Sequence, residues 1–76
     1  MNQFLVKVIY ENGKPAENIG VKIDYGWFGG TDEKRTHSDG WAEFQNLKSK
    51  SGTIFVHGQK MGTHILEDGM AYYFII

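Results

Sequence analysis

Apolar and polar residues alternate through most of this chain with a period of two, which is the period of a β-strand. Residues 19–25, with the sequence IGVKIDY, show the alternation most clearly, because every second residue is apolar. No segment long enough for an ordinary helix has a period of about 3.6 residues. The alternation therefore predicts an all-β chain.

Turn dipeptides separate the alternating segments. Asn-Gly at residues 12–13 and Asp-Gly at residues 39–40 and 68–69 tolerate the positive φ that tight turns require. A further reversal is predicted at GQKMG, residues 58–62. The predicted strands are residues 4–10, 19–25, 31–37, 41–47, 53–57, 63–67 and 70–76. A strand about every ten residues is typical of a small sandwich or barrel, and we treat residues 1–76 as a single domain.

Composition excludes several functional classes. The chain has 76 residues and a formal net charge of −1, so it has no basic field for a nucleic acid or an anionic membrane. It contains no cysteine, which excludes disulfides and thiol catalysis. The N-terminal sequence MNQFLVKVIY does not have the pattern of a signal peptide, which predicts a cytoplasmic protein unless the chain is cut from a longer exported one. No cofactor is expected.

Two groups of residues have the types found in hydrolytic sites. His37, Ser38 and Asp39 are consecutive, but consecutive residues entering a turn project in diverging directions, whereas a triad needs a hydrogen-bonded chain. A turn is the better interpretation. Asp24 and Glu43 are predicted on outward strand faces, where acidic residues are common, and no pocket is indicated. No catalytic residue is therefore predicted.

The three histidines are candidates for a metal site only if their strands are adjacent. His57 and His64 flank GQKMGT and could face each other across a hairpin, with His37 elsewhere in the chain. No short-range ligand spacing supports a site. We expect surface histidines and no metal.

Large aromatic residues outside the alternating pattern are the candidate binding residues. Trp27 and Phe28 lie in a glycine-rich loop, where they either cap one end of a small core or project to bind a partner or a sugar ring. Capping is favoured, because a short chain needs its large apolar groups in the core. Trp41 lies on the polar face of its strand and should be partly exposed. Together with Trp27 it would form a sugar-stacking platform if the two are close.

The C-terminal segment MAYYFII is apolar on both faces. Such a strand is either central in a sheet or covered by another chain, and the central position is favoured slightly. Tyr73 is the binding candidate of this segment, and a homodimer or a contact with a host chain is the alternative.

The order of these signals resembles that of a known family. NGKP at residues 12–15 is followed by an alternating strand, and THSDGWAEFQNL at residues 36–47 follows later. This pattern is similar to that of carboxypeptidase regulatory-like domains, which belong with the transthyretin-like (prealbumin-like) sandwiches. The matching positions are Asn12, Gly13, Lys14, Pro15, Val21, Ile23, Thr36, Asp39, Gly40, Ala42, Phe44 and Leu47.

The resemblance covers residues 4–58 and implies an Ig-like, prealbumin-like sandwich of about seven antiparallel strands. It also implies a non-catalytic accessory, structural or interaction module with a protein partner. The related hydroxyisourate hydrolases carry a Tyr-Arg-Gly-Ser tail, whereas this chain ends in YYFII and its only arginine is Arg35. Carbohydrate binding through exposed Trp27 and Trp41 is the alternative function, and a small hydrolase or metal protein is a third option with little support.

Overall fold

The chain folds as a small β-sandwich of seven strands. A computed structural model describes residues 3–27, 29–45 and 49–76. The strands are β1 (Gln3–Ile9), β2 (Gly20–Asp24), β3 (Thr31–Arg35), β4 (Trp41–Gln45), β5 (Ser51–Val56), β6 (Gln59–Ile65) and β7 (Ala71–Ile75). The described residues contain no helix, so the prediction of an all-β chain is confirmed. No helix in these ranges could cross a membrane.

The seven strands form two sheets. One sheet has three strands in the order β4-β1-β7, and the other has four in the order β3-β2-β5-β6. The pairs are antiparallel except for β1 and β7, which run parallel. The prediction of an entirely antiparallel sandwich is therefore wrong for this pair. A parallel neighbour requires a crossover, and β7 is reached from β1 by a path through the other sheet.

The core lies between the two sheets and is formed by the alternating apolar residues. In β1 and β2 every second residue is fully or almost fully buried, as the period of two predicts. Phe4 and Phe44 are direct cross-strand neighbours on β1 and β4, and their rings stack with centroids 5.2 Å apart. The largest fully buried side chains are Phe4, Val6, Val8, Val21, Ile23, Phe44, Ile54 and Val56.

A buried threonine directly after β3 connects the end of that strand to the loop between β1 and β2. Thr36 is 4% exposed, and its hydroxyl donates to the carbonyl of Ala16 at 2.6 Å while accepting from the amide of Ile19 at 2.9 Å. Two backbone hydrogen bonds complete the connection: the amide of Thr36 donates to the carbonyl of Ile19, and the amide of Asn18 donates to the carbonyl of Thr36. Both hydrogen-bonding roles of the hydroxyl are thus satisfied inside the core, which is the condition for burying it without a penalty.

The hairpin between β5 and β6 differs from the prediction. Val56 pairs with Gln59, so the loop consists of His57 and Gly58 alone. Their φ angles of 54° and 79° are both positive, as a type I′ turn requires. The segment GQKMG was predicted as the reversal because of its two glycines, but most of it lies within β6. The turn was not predicted because the residues most typical of the first position of a type I′ turn are asparagine, aspartate and glycine.

Candidate binding face

Two of the four candidate binding residues lie together on the outer face of the three-stranded sheet. Lys7 of β1 is the register partner of Trp41 on β4 and of Tyr73 on β7, so the three side chains form one row across the sheet. The rings of Trp41 and Tyr73 meet edge to face, with centroids 5.6 Å apart. The ammonium of Lys7 lies 5.0 Å from the centre of the Trp41 ring, within the range of a cation–π contact.

The surroundings of this row are apolar and partly open to solvent. Tyr73 is 66% exposed and Ile75, two residues further along β7, is 62% exposed. Leu5 and Ile9 lie on the same face of β1 and are half-buried. We call the set of Leu5, Lys7, Ile9, Trp41, Tyr73 and Ile75 the outer face. Trp41 itself is half-buried, which confirms the partial exposure predicted from its position in the strand.

Only Trp41 and Tyr73 of the outer face were predicted from the sequence as binding residues. Its remaining members were assigned to a partly buried strand face or to a central strand. The signal that could have found them is that β1 is apolar on its second face as well, at Leu5 and Ile9. A strand with two apolar faces in a two-layer sandwich must present one of them to solvent or to a partner.

Trp27 lies in the loop between β2 and β3 and is 99% exposed. The prediction that Trp27 caps the core is therefore wrong. Tyr25 fills that end of the sandwich instead, and Gly29 packs so closely on it that an added Cβ would come within 2.3 Å of the Tyr25 Cβ. Phe28, the other aromatic residue predicted in this loop, lies outside the described residues.

Trp27 and Trp41 do not form a common platform. The β2–β3 loop lies at the end of the sheet where Asp24 pairs with Thr31, whereas β3 ends at the opposite side. Trp41 is near that opposite end, because its carbonyl accepts a hydrogen bond from the amide of His37, two residues beyond β3. The two tryptophans are thus separated by the length of a strand.

The His37-Ser38-Asp39 segment forms a turn. Asp39 accepts a hydrogen bond from the amide of Trp41 at 3.1 Å through its side chain, and the amide of Gly40 donates to the carbonyl of His37 at 3.0 Å. His37, Ser38 and Asp39 are all exposed. The carboxylate of Asp39 thus holds the backbone of the turn, which is the common role of aspartate before glycine.

The remaining polar candidates are not brought together. His57 is in the β5–β6 turn, while His64 pairs with Gly52 near the far end of the same hairpin, so the two do not face each other. In residues 3–27, 29–45 and 49–76 no group of three or more metal-ligating side chains was found. Asp24 of the four-stranded sheet accepts from the amide of Gly26, whereas Glu43 of the three-stranded sheet accepts from the side chain of Gln3, so these two carboxylates do not pair.

A polar cleft of about 480 Å³ runs along the edge where β3 meets β4. Its lining carries both signs of charge: Asp32, Lys34, Arg35, His37, Glu43 and Gln45. Asp32 and Lys34 are register partners of the buried residues Ile23 and Val21, so they lie on the inward side of an edge strand. Inward-pointing charges are a known protection of sheet edges against pairing, and mixed charges create no field for an anionic ligand.

The C-terminal strand β7 is at the edge of the three-stranded sheet and pairs only with β1 among the described strands. The favoured prediction of a central position is therefore wrong. Tyr72 and Phe74 turn inward and are half-buried, whereas Tyr73 and Ile75 turn outward. The alternative prediction, contact with another chain, is compatible with this edge position and stays a prediction.

Comparisons with known proteins do not extend these observations. No protein-family model, no curated protein and no solved structure matches the chain. The fold class is thus a small β-sandwich with a candidate binding surface on its three-stranded sheet.

Proposed function

We propose that this domain is a non-enzymatic accessory or structural module that binds a protein partner through its outer face. The observation that carries the proposal is the exposure of Tyr73 and Ile75 on an edge strand beside Trp41. Tyrosine and tryptophan are enriched among residues that dominate binding energy, and contiguous apolar surface on a small domain marks interaction sites. A host chain or a second copy of the domain would serve as the partner.

Chemical features of the outer face favour a protein over a sugar. The rings of Trp41 and Tyr73 are inclined by 69°, so they do not present one flat platform to a sugar chain. Leu5, Ile9 and Ile75 add aliphatic surface with no hydrogen-bonding groups in their side chains. Lys7 is positioned at the Trp41 ring, where it can pair with an acidic residue of the partner.

The finer classification as an Ig-like domain of the carboxypeptidase regulatory-like or transthyretin-like type is part of the proposal. It is supported by the order of the motifs at residues 12–15 and 36–47, whose described members serve as turn and core residues. Leu47, the last of the matching positions, lies outside the described residues. Gly13 and Gly40 have positive φ, and Ala42 and Phe44 are fully buried. Such domains are expected to act as non-catalytic modules within larger systems.

Photo-crosslinking tests the proposed interaction. A photoreactive phenylalanine analogue at position 73 should crosslink to a partner in cells, and the same analogue at Phe55, on the outer face of the opposite sheet, serves as the matched control. Trp41→Ala should reduce the position-73 crosslink about tenfold, since truncating a central aromatic residue typically costs more than 1 kcal/mol of binding energy. Crosslinks that form equally at position 55, or persist with Trp41→Ala, contradict the proposal.

Carbohydrate binding is the second candidate function, and the full exposure of Trp27 favours it. An indole that is fully exposed to solvent can stack on a sugar ring. Glycan binding should quench or blue-shift the tryptophan fluorescence, and Trp27→Ala should abolish the change while Trp41→Ala retains it. An unchanged spectrum across a panel of glycans excludes this function.

A further inference from the structure

The backbone edge of β7 has a row of hydrogen-bonding groups directed away from the sheet. The carbonyl of Met70 accepts from the amide of Leu5, and the amide of Ile76 donates to the carbonyl of Ile9. Since successive residues of a strand direct their backbone groups to opposite sides, residues 70, 72, 74 and 76 face β1. The N–H and C=O groups of Ala71, Tyr73 and Ile75 therefore point away from β1, in the plane of the sheet, where no described strand pairs with them.

The core is open beside this edge. Inward side chains of β1, β2 and β4 are fully buried, but those of β6 and β7 are only half-buried. His64 of β6 meets the rings of Tyr72 and Phe74 of β7 at centroid distances of 5.7 and 5.6 Å. Met61 and Ile76 extend the same apolar seam between the sheets. A side chain placed next to β7 and pointing inward would cover this seam.

The two edges of the four-stranded sheet are protected against pairing, whereas β7 is not. The β3 edge carries the inward-facing charges Asp32 and Lys34. The β6 edge has a bulge opposite Thr53–Phe55, with Gly62 at a φ of 102°. Natural sheets use inward charges and bulges to prevent edge pairing. Residues 71–75, AYYFI, contain no charge, proline or glycine, and their register with β1 is uninterrupted.

We propose that β7 accepts one extended segment of a partner polypeptide as a fourth strand of the three-stranded sheet. The segment forms backbone hydrogen bonds with Ala71, Tyr73 and Ile75, and its alternate apolar side chains cover the seam at His64 and Phe74. A single extended segment suits the site, because the groups of Ala71, Tyr73 and Ile75 form one row along β7 and the half-buried Tyr72 and Phe74 lie on the same strand. This is β-strand addition, in which the backbone supplies affinity and the alternate side chains supply specificity.

The inference goes beyond the proposed function, because it concerns the backbone edge of β7 and not the outer side chains. The two are separated experimentally by Trp41→Ala, which should weaken outer-face crosslinks and leave strand addition unchanged.

Amide hydrogen exchange with a model peptide tests the inference. The probe is an acetylated and amidated peptide, Lys-Thr-Val-Thr-Val-Thr-Val-Lys, with two further versions in which isoleucine or phenylalanine replaces valine. The matched control contains proline at the central valine and at the threonine before it, so that a backbone N–H directed at β7 is lost in either strand orientation. In the free protein, the amides of Ala71, Tyr73 and Ile75 should exchange at least about tenfold faster than those of Tyr72 and Phe74. A saturating probe should protect the first three amides at least about tenfold, and the control peptide should not.

A pair of variants isolates the backbone contribution. Ala71→Pro removes one outward N–H at the first position of an edge strand, where proline is tolerated, and should weaken probe binding about tenfold. Ala71→Val retains the N–H and should bind as the wild type does. Absence of saturable binding by all three probes, or protection elsewhere in the chain, overturns the inference. A free protein that sediments as a dimer with these amides already protected also overturns it, since the occupant would then be a second copy.

Discussion

Tyr25 carries a buried hydroxyl for which no hydrogen-bond partner is found among the described residues. The residue is 6% exposed and closes the end of the core below the Trp27 loop. Burial, and to a lesser extent the charge of nearby Asp32, raises the pKa of Tyr25 to about 12. Both causes disfavour the phenolate, so the folded state holds the phenolic proton more tightly than the unfolded chain does.

The raised pKa of Tyr25 predicts an alkaline loss of stability. Below pH 10 the phenol is neutral in both states, and the folded state has its full stability. Between pH 10 and 12 the unfolded chain loses the proton first, so the free energy of unfolding falls, by about 2 to 3 kcal/mol from this group. Tyr25→Phe should remove that part of the loss. The measurement is urea unfolding at several pH values from 8 to about 12.

The control for this prediction is Tyr10→Phe, since Tyr10 is an exposed tyrosine in the first loop. Its pH profile should match that of the wild type. At neutral pH, Tyr25→Phe should be neutral or stabilising by up to about 1 kcal/mol, because it removes an unsatisfied buried hydroxyl. Identical alkaline slopes for the wild type and Tyr25→Phe would contradict the assignment of this residue.

At the scale of the elements, the turn before β4 depends on a close backbone approach at Gly40. This residue has a φ of 83° and is buried, and a Cβ on it would lie 2.6 Å from the carbonyl oxygen of Val8. The Val8 amide in turn donates to the Gly40 carbonyl at 2.9 Å. The turn therefore aligns β4 with β1 as well as reversing the chain.

Gly40→Ala should destabilise the domain far more than Gly13→Ala. Gly13 has a similar φ of 86°, but none of the described residues lies within 4 Å of its Cβ position. Gly13→Ala should thus cost about 1 kcal/mol for the left-handed backbone alone. Gly40→Ala adds a clash with backbone and should cost at least about twice as much. Chemical denaturation of both variants measures the difference, and equal costs would show that the close approach is relieved without penalty.

The strands β1, β2, β4 and β5 could be predicted from the sequence because every second residue is buried, and a period of two in the apolar residues indicates such a buried face. All seven were located, including the polar β3, where the turns on either side set its limits. The β5–β6 turn was misplaced, since two glycines in GQKMG gave a stronger local signal than His57-Gly58. The turn at Asp39 was predicted correctly because its chemistry is local to the dipeptide and its neighbours.

The pairing of the strands could not be predicted in the same way, and the residues of the candidate site are brought together by that pairing. Whether MAYYFII is central or at an edge depends on which strand pairs with it, and β1 lies more than sixty residues away in sequence. The proximity of Trp41 to Tyr73 depends on the same long-range pairing. Trp27 was assigned to the core from the size of its ring, but Tyr25, which continues the β2 alternation, already fills that space.

At the scale of the whole molecule, we expect the open edge of β7 to control aggregation on heating. Ile75→Lys places a charge on the outer side of this edge, where Ile75 is largely exposed. We expect the free energy of unfolding to change by no more than about 0.5 kcal/mol, because little buried contact is lost. The rate of aggregation on heating should fall several-fold, since a charged edge disfavours pairing with another chain.

The control for Ile75→Lys is Gln59→Lys, an exposed position at the start of β6. Both substitutions change the formal net charge from −1 to 0, a change that by itself favours association. If the β7 edge controls aggregation, Ile75→Lys should slow it, whereas Gln59→Lys should leave it unchanged or accelerate it. Light scattering during a temperature ramp compares the two at equal concentration. Equal aggregation rates would assign self-association to another surface and remove the argument for β7 as the reactive edge.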